Sequence, residues 1–138
     1  FDPQAQARDI VKQIVTAFGN RVVLYTYWTF TDFAIGEGHP GLVDNQGNPR
    51  PAATSFKITS EKLGGSTSVQ KLNLGDNVYA YKFTKNGKDV FVVWSTKDSS
   101  TKMPFSGSAT VTDISGNTSV ITSNVVSVNN SPVFIEQN

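Results

Sequence analysis

Apolar positions near the N-terminus repeat at helical spacing. Ile10, Val11, Ile14, Val15 and Phe18 fall on one side of a 3.6-residue period, opposite Arg8, Lys12 and Gln13, which predicts an amphipathic helix over 4–18. Asp2-Pro3 reads as its start, since an aspartate can cap the free amides and proline is tolerated at the first helical position. Gly19-Asn20 reads as a left-handed stop. The run from Val22 to Trp28 is then almost unbroken in apolar and aromatic residues, which predicts a strand over 21–28 buried on both faces, as in a parallel sheet covered by helices. In such architectures ligands bind at the C-terminal end of the strand, where Trp28, Phe30, Asp32 and Phe33 stand.

Residues 29–50 are rich in Gly, Pro, Asn and Asp and read as a loop, with a tight turn at "DNQGNP". Pro51 opens a second helix to Leu63, whose apolar side is Ala52, Ala53, Phe56 and Leu63 and whose end is Gly64-Gly65. The first 65 residues therefore spell helix, strand, loop, helix. One strand cannot make a sheet, which is the anomaly of this sequence.

After Gly65 the period falls to two. "TSVQKLNL", "VYAYKFT", "KDVFVVWS", "ATVTDI", "TSVIT" and "PVFIEQ" are separated by polar turns, and Asn86-Gly87 is a strong hairpin signal. Tyr79, Tyr81 and Phe83 share one face of their strand, and Val90, Val92 and Trp94 one face of the next. About six or seven short strands at this rhythm predict an antiparallel sandwich. The abrupt Gly-Gly junction, without a low-complexity linker, predicts that the two halves pack on each other.

Composition narrows the picture. In 138 residues the hydrophobic share of 38% allows a packed core, and a net charge of +1 without a basic stripe argues against nucleic acid as a partner. Zero cysteines exclude disulfides, thiolate metal sites and cysteine nucleophiles. No apolar run has the length of a transmembrane helix, and the first twenty residues lack the apolar core of a signal peptide. A chain beginning with Phe rather than Met is expected to be a mature product or a fragment.

The stretches "QARDIVKQIVTAFGNRVVLYTYW", "GLVDNQGNPRPAATSF" and "LGG", followed by a sandwich carrying "VYAYKFTKNGKDVFVVWS" and "SPVFIE", resemble the C-terminal end of clan A glycoside hydrolases. The resemblance implies an antiparallel β-sandwich preceded by the helix-strand-helix remnant of a (β/α)8 barrel: residues 1–65 would be the end of the barrel and 66–138 the sandwich domain. It further implies that 4–18 is the seventh barrel helix, 21–28 the eighth strand and 51–63 the eighth helix. The family's two catalytic glutamates would lie upstream of Phe1, so the chain alone is expected to be inactive and to carry no catalytic residue. Trp28 matches the aromatic that forms a platform beneath the sugar. The implied setting is secreted or extracellular. The implied partners are carbohydrate together with the missing N-terminal barrel segment or a second copy of the chain; neither membrane nor cofactor is called for.

Trp28 can stack its indole face on a pyranose, against the blander role of a tryptophan at the barrel rim. Asp32 and Glu37 are neighbouring carboxylates, but five residues on one loop is poor grounds for a catalytic pair, which needs about 5 Å between carboxyl groups in a retaining enzyme. His39, the only histidine, lacks clustered ligands for a metal and an orienting partner for base catalysis. Asp32 and His39 remain as hydrogen-bonding groups toward a sugar hydroxyl. Tyr79, Tyr81, Phe83, Phe91 and Trp94 could form a flat sugar-binding face, the reading of a free-standing carbohydrate-binding module, but are expected to fill the core between two sheets. Asp76, Asp89, Asp98 and Asp113 adjoin turns without a calcium-loop pattern.

Overall fold

The computed structural model describes residues 1–32 and 41–138. Helix α1 spans Pro3–Gly19 and α2 spans Pro51–Leu63. Eight strands follow: β1 (Ser68–Leu72), β2 (Val78–Lys85), β3 (Lys88–Ser95), β4 (Ser99–Lys102), β5 (Ala109–Asp113), β6 (Thr118–Ile121), β7 (Val125–Val128) and β8 (Val133–Gln137). Six form a sheet in the order β1-β2-β3-β8-β5-β6, and β4 and β7 pair as a second sheet. Every pairing between these eight strands is antiparallel.

The six-stranded sheet is the middle of three layers. Cross-strand pairs Tyr79↔Trp94, Tyr81↔Val92 and Phe83↔Val90 place the β2 and β3 side chains on one face, and of these Tyr81, Phe83, Val90, Val92 and Trp94 join Phe134 in a core with Ala7, Ile10, Val11, Ile14 and Val15 of α1 and with Ala52 and Leu63 of α2. The opposite face contributes Ala80, Phe91, Val93, Ala109 and Ile135, which pack on Met103, Phe105, Val126 and Val128 around the small sheet. Two helices on an antiparallel sandwich-like arrangement is thus the architecture. Its first core is shared by the helical and strand halves.

Two details depart from expectation. The second sheet consists of β4 and β7, neither of which stands out in the sequence: Ser99–Lys102 is polar, and only Thr101 of its four residues is buried. The aromatic row of Tyr81, Phe83 and Trp94 faces the helices, leaving Phe91 to the space between the sheets.

Helix α1 begins as its sequence dictates, the Asp2 carboxylate accepting from the Gln4 amide at 2.8 Å. Its end differs. Gly19 is the last helical residue, Asn20 caps it, and the left-handed conformation falls on Arg21 at φ 65°. Gly19 is required by packing instead: a Cβ there would lie 2.2 Å from Tyr81 Cε1 and 2.6 Å from Cδ1. That ring cannot retreat, because it stacks on Trp94 at 5.8 Å and 17°, and Trp94 stacks on Tyr79 at 5.4 Å and 3°. Gly19→Ala gains helix propensity of about 1 kcal/mol but overpacks the core. A net loss of about 1–3 kcal/mol is expected in thermal unfolding; unchanged stability would show that the ring stack yields.

The turns carry their own chemistry. Asn86 (φ 52°) and Gly87 (φ 74°) are both left-handed, the geometry of a two-residue hairpin turn whose twist suits the β2–β3 pair. Asp44 and Asp113 head two turns of the same plan. Each carboxylate accepts from two backbone amides and from an asparagine side chain four residues on: Gln46, Asn48 and the Asn48 amide group in one, Ser115, Asn117 and the Asn117 amide group in the other. Partial burial would raise the Asp113 pKa, but the Asn117 side chain and the surrounding amides outweigh it and hold the carboxyl below its usual 3.8. A lowered folded-state value means that the contribution is present above pH 3.8 and is lost as pH falls through the folded-state pKa. Acid unfolding between about pH 4 and 2 should therefore be less steep in Asp113→Asn than in the native chain, followed by circular dichroism; parallel profiles would reject the assignment.

Candidate functional site

The segment expected to be a buried strand, 21–28, joins no strand ladder among the described residues. From Leu24 to Phe30 its burial alternates along the chain. Tyr25 and Tyr27 pack against the core shared with the helices and Thr29 is buried, while Leu24, Trp28 and Phe30 are 76%, 83% and 69% exposed, and Val23 is 96% exposed. The physical reason is that burial on both faces needs neighbouring strands, and these residues contain none to flank it.

The inward side is tied down by polar contacts. Tyr25 Oη donates to Gln13 Oε1 at 2.9 Å, and burial, reinforced by Tyr27, pushes the Tyr25 pKa up, so the phenol stays a donor. Gln6 Nε2 donates to Tyr27 Oη at 3.3 Å and to the Gly41 carbonyl at 3.1 Å. The Tyr27 ring meets Phe56 of α2 at 6.3 Å. Helices α1 and α2 thus hold the segment and aim Trp28 outward.

Beyond Trp28 the chain closes a loop on itself. The Val43 amide donates to the Phe30 carbonyl at 2.9 Å, the Asp32 amide to the Val43 carbonyl at 3.3 Å, and Thr31 and Val43 form a parallel bridge. The Asp32 carboxylate accepts from the Gly41 amide at 2.9 Å through Oδ1, while Oδ2 pairs with the Arg50 guanidinium. The side chains are 3% and 15% exposed. Arg50 also lies over the Phe1 ring, 4.9 Å from its centroid, a cation–π arrangement. Gly41 admits no side chain: a Cβ would stand 2.5 Å from the Asp32 amide nitrogen and 2.6 Å from the Val43 carbonyl oxygen.

Of the three sequence-predicted site residues, Trp28 is therefore presented to solvent, while Asp32 is turned inward to clamp the loop stem, its carboxylate engaged on both oxygens. His39 lies outside the described residues, as does Glu37. The sequence reading missed Gln6, Arg50 and Gly41. Arg50 alone carried a signal, as the one cation in a loop whose other charged residues are the acids Asp32, Glu37 and Asp44.

The sheet itself offers little to a sugar. Tyr81, Phe83, Phe91 and Trp94 are buried, and only Tyr79 of the five aromatics is partly exposed. A cleft of ≈ 800 Å³ opens between α2 and the hairpin ends, lined by Lys62, Lys88, Thr112, Glu136 and others. It has no aromatic wall, and neither Trp28 nor Asp32 reaches it. Among the described residues no group of three metal-ligating side chains converges.

No protein-family model matches the sequence, and no curated protein matches it. The structure is similar to that of a GH30 endoxylanase from Clostridium papyrosolvens C71, with a TM-score of 0.56 and 16% identity. The match covers 96% of this chain and 38% of that one. At that identity the likeness is one of fold: the chain has nearly its whole length in an arrangement found within part of a glycoside hydrolase.

Proposed function

We propose that this chain is the C-terminal part of a polysaccharide- or oligosaccharide-acting glycoside hydrolase of the secreted kind. In this reading residues 1–65 are the end of a (β/α)8 barrel, 66–138 are a β-sandwich that buttresses it, and the catalytic glutamates belong to chain outside these residues. The observation that carries the proposal is the fold likeness over 96% of this chain but only 38% of a xylan-degrading enzyme. The arrangement around Trp28 supports it: an apolar segment backed by two helices on one side, with Leu24, Trp28 and Phe30 largely exposed, is what a barrel strand looks like without its neighbours. Trp28 is the sugar platform, stacking on the apolar face of a pyranose. Asp32 serves by holding the stem of the loop that carries His39, whose imidazole is the hydrogen-bonding group toward a sugar hydroxyl.

The 138-residue chain is expected to release no reducing sugar from xylan, mannan or β-glucan, whereas a polypeptide extended by its upstream reading frame is expected to hydrolyse one of them. In the extended protein, Trp28→Ala should raise KM about tenfold, the equivalent of about 1.4 kcal/mol of lost stacking. Hydrolysis by the short chain would end the proposal. Activity of the long one with KM unchanged in the variant would remove Trp28 from the site while leaving the class intact.

A further inference from the structure

The cleft between α2 and the β2–β3 hairpin lies apart from Trp28, and its charges and hydroxyls form a pattern of their own. Lys85 and Lys88 stand directly opposite each other across the hairpin. Strand parity puts both on the face that carries Phe83 and Val90, and both line the cleft. Like charges so placed repel; an anion between them turns the repulsion into attraction. The acids of the cleft do not supply it. Glu136 pairs with Lys62, and the Glu61 carboxylate lies 3.9 Å from Lys57 Nζ. Lys85 Nζ donates instead to the uncharged Glu61 carbonyl, and Lys88 joins none of the ion pairs among the described residues. A hydroxyl completes the pattern. Thr112 of β5 points to the cleft side of the sheet, since its neighbour Val111 packs into the other core, and it is 5% exposed. Its Oγ1 has no hydrogen-bond partner among the described residues. A buried hydroxyl left unpaired costs stability that a valine of the same shape would not.

We propose that this cleft binds a phosphate group, as inorganic phosphate or as a phosphate monoester, with Lys85 and Lys88 neutralising it and the Thr112 hydroxyl donating to one of its oxygens. Lysine ammoniums act on phosphate as point charges, whereas the planar fork of an arginine is the better match for a carboxylate, and no arginine lines the cleft among the described residues. A volume of ≈ 800 Å³ falls within the range of small-molecule sites, with room for the organic part of a monoester. The inference does not rest on the glycoside hydrolase reading.

Two-dimensional NMR of the chain, titrated with inorganic phosphate or glycerol 3-phosphate at constant ionic strength, is expected to show amide shifts at Asn86, Lys88, Thr112 and Gly116 that saturate at about millimolar concentration. Tighter binding of glycerol 3-phosphate identifies a monoester as the occupant, and tighter binding of inorganic phosphate identifies the free ion. Lys85→Gln combined with Lys88→Gln should weaken binding at least about tenfold. Thr112→Val should weaken it about tenfold as well while raising Tm by about 2–4 °C, the opposite of what a hydroxyl serving the fold would give. Shifts that do not saturate, equal shifts with acetate, binding unchanged in either variant, or a lower Tm in Thr112→Val would each overturn the inference.

Discussion

Phe134→Ala is expected to cost about 3–5 kcal/mol and to melt helices and sheet together. Phe134 is fully buried on β8, between β3 and β5 in the middle of the six-stranded sheet, and belongs to the core formed with α1 and α2. Removing the ring takes away its burial and leaves a cavity that rigid neighbours on two adjacent strands cannot close. A domain of this size has about 5–15 kcal/mol in total, so the loss is a large part of it. The helices have no separate core: α1 buries Ile10, Val11, Ile14 and Val15 against the same cluster. Circular dichroism at a helix wavelength and near-ultraviolet signals from Trp94 should therefore shift by the same amount. Helical signal persisting after the aromatic signal is lost would show that 1–65 and 66–138 unfold as separate units.

Asp32→Ala should cost about 3–5 kcal/mol as well, because it takes from the largely buried Arg50 guanidinium the carboxylate that pairs with it. The same substitution removes the acceptor of the Gly41 amide, which sits too tightly against the Asp32 and Val43 backbone for the stem to readjust. Most of the penalty comes from desolvation of charge that the Asp32 carboxylate no longer offsets, rather than from the attraction itself. Asp32→Ala combined with Arg50→Ala should accordingly recover part of the loss, and a double-mutant cycle in thermal or urea unfolding measures how much. Strict additivity of the two single effects would show that the pair contributes no coupling, and Asp32 would then regain its standing as a group available to a ligand.

Much of this molecule is legible in the order of its residues. Asp2-Pro3 and Pro51 mark the helix starts at which the chain enters its two helices, since capping and proline geometry act over a few neighbouring residues. Asn86-Gly87 sets the β2–β3 hairpin for the same reason, and the alternation along both strands places Tyr81 and Phe83 on the face that becomes buried. β4 and β7 escaped because each is four residues long and earns its place only by pairing with the other, across more than twenty residues of intervening chain. Gly19 was readable as a glycine near a helix end, but its cause, the Tyr81 ring stacked on Trp94, comes from a residue far along the chain.

The candidate site divides along the same line. Local sequence determined that 22–28 is apolar, extended and followed by a polar loop, and it singled out Trp28 as the residue at its end. Only the tertiary structure decided that Tyr25 and Tyr27 of this segment are held by α1 and α2 while Leu24 and Trp28 are largely exposed, and that Asp32 turns inward to Arg50. Strand propensity is a property of a few residues, but a strand exists only where other strands meet its backbone. Whether a carboxylate faces a ligand or a guanidinium depends on a partner that folding brings in from elsewhere, here eighteen residues away at the start of α2.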